Sequence, residues 1–227
     1  MRFNYSLPFS TQLLYNKQII KKGAKNIFTG FINIVMNIHC NSNIYFGANK
    51  LNYSPKVLKR NDKTGEYKAE KVSMVEIDLD NPNDIKVMKE LGEKWDNYNL
   101  MENMADEAEN FANGEDLSDG YRFFAVTAQK EGFENLNPED ILSFCEVESF
   151  EDIGNAHIEY IQTNAESANM HSPKYKRCGS AMLDGLKYYY SYIHLNSLTS
   201  AVKFYERNRF RPIYKVNKYH MYWEKGR

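Results

Sequence analysis

The 227-residue sequence has almost no surplus of charge: 29 Lys and Arg stand against 30 Asp and Glu, a formal net charge of −1. General nucleic-acid binding, which draws on a large excess of cations, is not expected. The basic clusters, Lys17 to Lys25 and Lys174 to Arg177, are local, so anion binding is expected to be local too. Cysteine is scarce. Cys40, Cys145 and Cys178 are odd in number and far apart, which suggests neither a disulfide framework nor a metal-ligand spacing. Free thiols in a reducing compartment, and no metal, are the expectation. Long apolar runs are missing as well, since none reaches the roughly 18 residues of a membrane span. The nearest, Ile27 to Cys40, follows Lys17, Lys21, Lys22 and Lys25 in the order of a secretory signal. Thr29, Asn33, Asn37 and His39 dilute it and no small-residue cleavage site follows, so a cytoplasmic protein without a membrane partner is expected.

What is present fits a globular chain: 42% hydrophobic residues bury a core, and 26% charged residues solvate its surface. Composition shifts near residue 55. Residues 1–55 are rich in Asn, Ser, Lys and Tyr without a sustained period, and read as an N-terminal extension, partly disordered or irregular. Its one apolar stretch, Ile27 to Ile38, is the sole support for reading it as a membrane- or partner-binding arm.

From Val57 to Ile77 the sequence predicts a hairpin turning at Asn61–Gly65. Asn81-Pro82-Asn83-Asp84 is a helix start: an Asx cap, proline at the first position and a carboxylate in the first turn. Ile85, Met88, Leu91 and Trp95 then form one helical stripe, and Leu100, Met104, Ala108 and Phe111 a second, ending at Asn113-Gly114. The period changes to that of strands over Tyr121 to Ala128, Ile141 to Glu148 and Ala156 to Thr163, an antiparallel meander. A helix (about 179–190), a short strand (192–196), a helix (about 200–208) and two closing strands complete the chain. This order predicts an α/β (α+β) domain on a mixed, mostly antiparallel central sheet flanked by helices on both faces.

The chemistry concentrates between Ala156 and Phe210. In Lys174-Tyr175-Lys176-Arg177-Cys178-Gly179-Ser180-Ala181, cations precede small residues at a helix start. There unpaired N–H groups and the helix dipole suit a phosphate. This stretch resembles the pyrophosphate loop of the GNAT N-acetyltransferases, Gln/Arg-x-x-Gly-x-Gly/Ala, with Lys174 at the first position, Arg177 where the first Gly is usual, and Gly179 retained. Ser200-Ala201-Val202-Lys203-Phe204-Tyr205-Glu206-Arg207-Asn208-Arg209-Phe210 resembles the same family's Ala-x-x-Phe-Tyr-Glu-Lys-x-Gly-Phe signature. Arg209 replaces its Gly, and Leu198 replaces an Asn often found upstream. The two motifs occur in family order with a strand between them, and the resemblance makes 56–227 a GNAT-like N-acetyltransferase domain of the acyl-CoA N-acyltransferase-like fold.

The resemblance implies acetyl transfer from acetyl-CoA, as co-substrate, to a primary amine by direct attack on the thioester. Backbone groups of the strand ending at Thr163, namely those of Ile161 and Thr163, are expected to bind the pantetheine arm like an added strand. The segment Lys176, Arg177, Cys178, Gly179, Ser180 and Ala181 is expected to hold the pyrophosphate. Tyr205 matches the tyrosine that protonates the departing thiolate, the alternative being a packing role. Glu159, alternating with Ile161 and Thr163 on one strand face, is the candidate base. Glu146, Glu148, His157 and His171 are its alternatives. Cys178 is read as a small filler. The rival reading is a non-catalytic CoA-binding or structural module, resting on Arg177, Arg209 and Leu198. The acceptor is not named by the sequence, although Glu102, Asp106, Glu107, Glu109, Glu115 and Asp116 suit a cationic one if they are more than a solvated face.

Overall fold

The computed structural model describes residues 47–226, apart from 96–99, 115–119, 151–153, 165, 168–170 and 215–216. The expected extension lies outside the described residues up to position 46, and so does the Ile27 to Ile38 arm. Residues 47–55 already belong to the folded domain: Asn49–Lys50 forms strand β1, and Tyr53 stacks on Tyr188 at 4.9 Å.

The hairpin forms between β2 (Lys56–Arg60) and β3 (Tyr67–Lys71), turning where Asn61 Oδ1 accepts from the amides of Lys63 and Thr64. It stands in a small sheet of its own, completed by β8 (Tyr175–Lys176) in the order β3-β2-β8. After β4 (Ser73–Glu76) the Asn81 cap works as its sequence predicts, its side chain accepting from the Asn83 amide at 3.0 Å ahead of Pro82. Asp84 is buried against the same cap, where desolvation raises its carboxyl to about 6. Helices α1 (Pro82–Lys94) and α2 (Leu100–Ala112) follow, and Gly92 lets them approach, because a Cβ there would stand 3.2 Å from Glu102 Cα.

The meander is β5 (Tyr121–Thr127), β6 (Ile141–Phe150) and β7 (Asn155–Thr163). Then come α3 (Cys178–Tyr189), β9 (Tyr192–Asn196), the short α4 (Val202–Arg207), β10 (Arg211–Pro212) and β11 (His220–Glu224). The main sheet runs β1-β4-β5-β6-β7-β9-β11-β10, and β7–β9 is its parallel pair. The observed fold class is the one the sequence predicts. Two cores cover its faces. Met88, Leu91, Met101 and Met104 of α1 and α2 pack on Phe123, Ala125 and Phe144; Ala181, Met182, Leu186 and Tyr205 of α3 and α4 pack on Phe124, Cys145 and Ile158. Each fully buried Leu, Met or Phe contributes about 1.5–3 kcal/mol. At Gly185, α3 sits so low on the sheet that a Cβ would fall 2.1 Å from Met74 Sδ. Among the described residues no helix is long and apolar enough to cross a membrane.

Candidate active site

Strand β7 leaves its neighbour partway along. It pairs with β9 from Asn155↔Tyr192 to Ile158↔Leu195 and no further. The cause lies on its other side. Against β6, Glu146 faces Tyr160 and Val147 faces Ile158, so Glu159 is an extra residue, a β-bulge directly after the last β9 pair. A bulge bends and twists its strand, and here it turns β7 away from β9.

Backbone groups are left facing the opening. The Asn164 amide donates to Leu142 O at 3.1 Å. With Ser143↔Thr163 and Cys145↔Ile161 in register, alternation assigns Tyr160, Gln162 and Asn164 to bonds with β6 and points the N–H and C=O of Ile161 and Thr163 away from it.

One end of the opening meets the start of α3. Arg177 caps this helix in the left-handed conformation, φ 66° and ψ 22°, without a side-chain capping bond. Arg209, just beyond α4, has φ 66° as well, and these are the non-glycine residues of positive φ among the described ones. Both stand where the resembled motifs carry glycine, so the backbone keeps the glycine conformation at about 1 kcal/mol each. The amides of Cys178, Gly179 and Ser180 have no intrahelical partner. The helix ladder begins at the next residue, where the Ala181 amide donates to Arg177 O at 2.9 Å. Gly179 is closed in by Phe204 and Thr163, 3.1 and 3.2 Å from where its Cβ would be. A cavity of about 570 Å³ opens over this end, lined by Thr163, Arg177, Gly179, Ser180, Arg207 and Asn208 among others. A second, of about 510 Å³, shares Arg177 and Arg207 and adds Lys187 and Arg209. This is a basic face.

Lys176 and Ala181 do not line either cavity in the way their sequence neighbours do. Lys176 belongs to β8, opposite Leu58, with its ammonium 4.0 Å from the Tyr67 ring centroid. Cys178 is buried with its thiol 3.5 Å from Ser167 Oγ; burial pushes that thiol up, the reverse of what a nucleophile needs. Cys145 is the second free, buried thiol.

Tyr205 lies on the α3–α4 side, edge-on to Phe204 at 5.1 Å and to Phe210 at 5.7 Å. Burial, with Cys145 beside it, raises its phenol well above the ordinary range, so it holds its proton. Among the described residues its hydroxyl has no hydrogen-bond partner. Tyr205 is buried in the α3-side core, which also holds Cys145, and Ile161 packs against that core.

The α1–α2 side is acidic. Strict alternation would put Glu159 on the face of Ile161 and Thr163, but the bulge overturns that expectation. Ile158 and Ile161 pack in the α3-side core, whereas Tyr160 packs in the α1–α2 core and Glu159 Oε1 lies 2.8 Å from His157 Nδ1. His157 stacks on His194 at 4.4 Å with ring planes 6° apart. Burial, then His157, lower the His194 imidazole. Glu148 is opposite His157, and one ligand atom each of Glu148, His157 and Glu159 lies within 4.8 Å of the others, a spacing open to a small cation. Glu146 lies fully buried beside them. Ionised, neither of its oxygens has a donor; protonated, it can donate to Glu107 of α2. Burial first, then Glu107 and Glu159, raise it to about 9. His171 is exposed in the loop before β8. Of the acids on and after α2, Glu109 pairs with Lys89 at 2.6 Å, Glu102 and Asp106 are solvated, and Glu115 and Asp116 lie outside the described residues.

No protein-family model and no curated protein matches the sequence. In arrangement the chain is similar to N-acetyltransferases. A Tetrahymena GCN5 structure matches 74% of this chain and 94% of its own at 10% identity and a TM-score of 0.41. A spermidine N-acetyltransferase SpeG chimera from Vibrio cholerae and hSSAT matches 67% and 95% at 16% identity and 0.43. The Escherichia coli ribosomal-protein-S18-alanine N-acetyltransferase matches 66% and 88% at 12% identity and 0.38. At these scores the functional reading rests on the opening between β7 and β9.

Proposed function

We propose that this chain is an acetyl-CoA-dependent N-acetyltransferase that moves an acetyl or short acyl group to a primary amine. The observation that carries the reading is the parting of β7 from β9, with the backbone of Ile161 and Thr163 facing the gap and the start of α3 at its end. An extended, amide-bearing arm with a pyrophosphate at one end fits those features together. Its amides add a strand's bonds to Ile161 and Thr163. Its phosphates meet the amides of Cys178, Gly179 and Ser180, with Arg177 and Arg207 beside them.

The chemistry then divides between the faces. Glu159 takes the proton that the attacking amine sheds, on the α1–α2 side. Tyr205 gives a proton to the sulfur that leaves, on the α3–α4 side. One C–N bond forms, one C–S bond breaks, and each proton has a named residue. No covalent enzyme intermediate is needed, in keeping with a raised, buried Cys178.

Titration calorimetry of acetyl-CoA against the wild type and Ser180→Glu tests the reading. A carboxylate in the first turn of α3 suits the helix dipole and preserves the fold, yet repels a pyrophosphate. Micromolar binding by the wild type and at least about 100-fold weaker binding by the variant are expected. A folded wild type that does not bind acetyl-CoA returns the chain to the structural-module reading.

A further inference from the structure

The α1–α2 side of the opening holds a concentration of carboxylates of which the proposed transfer uses Glu159 alone. Glu146 is at the floor, fully buried and with both oxygens unpartnered. Glu107, Glu148 and Glu159 stand around it from three different elements, each half-exposed. The rings of Tyr121 and Tyr160 stand beside these carboxylates: after burial, Glu148, Glu159, Glu146 and Glu107 raise the Tyr121 phenol, and Glu107, Glu146 and Glu159 raise that of Tyr160. Among the described residues no Lys or Arg pairs with any of the four. Acidic residues on a solvated face do not bury one member at zero exposure beneath the others.

One proton suffices for Glu146 and Glu107 to share a hydrogen bond, and His157, 2.8 Å from Glu159, is the basic side chain beside the four acids among the described residues. A lone ammonium arriving for acetylation would leave negative charge uncompensated in a partly desolvated site, which is unfavourable. We propose that this cup selects an acceptor with a second cationic group beyond the amine to be acetylated, a diamine or longer oligoamine, bound by Glu107 and Glu148 with Glu146 beneath them. Tyr121 and Tyr160 offer ring faces to the alkyl ammonium. The acceptor identity rests on the transferase reading; cation binding by the cup does not.

Two measurements on the full chain separate these claims. With saturating acetyl-CoA, kcat/KM is compared for hexamethylenediamine, hexylamine and aminohexanol. The diamine is expected to exceed the other two by about tenfold or more, the size of one partly buried charge contact. Glu107→Gln and Glu148→Gln, isosteric changes at half-exposed positions, are each expected to reduce that ratio severalfold while acetyl-CoA binds as before. Equal values for diamine and aminohexanol in a protein that binds acetyl-CoA would overturn the proposal. Direct titration of hexamethylenediamine without acetyl-CoA decides the cup independently: saturable binding lost in the Glu107→Gln, Glu148→Gln double variant supports it, and absence of binding by the wild type contradicts it. Failure of acetyl-CoA itself to bind counts against the transferase reading alone.

Discussion

The two faces of the β7–β9 opening differ in charge and in origin. On the α3–α4 face, the cations Arg177, Arg207 and Arg209 and the free amides of α3 come from residues close in sequence. On the α1–α2 face, Glu107, Glu146, Glu148 and Glu159 are supplied by one helix and two strands, and only tertiary structure assembles them. A single bulge links the two, because Glu159 both parts β7 from β9 and turns its own carboxylate to the acidic side. The proposed transfer between an anionic donor and a cationic acceptor accords with such a division, each partner having a side of opposite charge.

The sharpest break of this comparison comes from the two proton-handling residues. Tyr205→Phe is expected to lower kcat by about 10²–10⁴-fold with little change in acetyl-CoA affinity, since Phe keeps the contacts with Phe204 and Phe210. Glu159→Gln is expected to lower kcat comparably from the opposite face. Steady-state kinetics checks both, and a Tyr205→Phe enzyme of unchanged kcat would leave this residue a packing role only.

The acidic face has a stability signature of its own. Glu146 in the fold is raised from its ordinary 4.5 to about 9, so folding retains a proton that the unfolded chain releases. Its contribution to stability is full below the unfolded value and is lost as pH rises through the folded one. Glu146→Gln mimics the protonated form and removes this loss. The melting temperature of the variant relative to wild type is therefore expected to rise across that interval by several degrees, about 2–4 °C for each kcal/mol. A constant difference at all pH values would mean that the Glu146 carboxyl is not desolvated.

The smallest effect tests the basic face. Arg209→Gly relieves a left-handed arginine and is expected to stabilise the fold by about 0.5–1 kcal/mol, while acetyl-CoA binding weakens severalfold through loss of a nearby cation. Thermal melts and calorimetry together check the opposite signs.

How much of this was legible follows the same division. The Asn81-Pro82 cap, the α1 stripe and the meander are local patterns, and the structure repeats them closely. The helices α3 and α4 were legible through two short motifs. Strand β8 was not, because its two residues pair with a hairpin over a hundred positions earlier. Nor was the face of Glu159: a bulge depends on how many residues the partner strand sets opposite, and period-two alternation along β7 alone gives the wrong side. Glu107 looked like a member of a solvated acidic run, and its partial burial beside the buried Glu146 distinguishes it from Glu102 and Asp106.

The central claim, that β7 offers Ile161 and Thr163 to an added strand of ligand, is tested most directly by residue-resolved amide exchange with and without saturating acetyl-CoA. Exchange at Ile161 and Thr163 is predicted to slow by at least about tenfold on binding, with Tyr160 and Gln162, already bonded to β6, unchanged. Bound acetyl-CoA that leaves both Ile161 and Thr163 exchanging at their free rates would contradict the account.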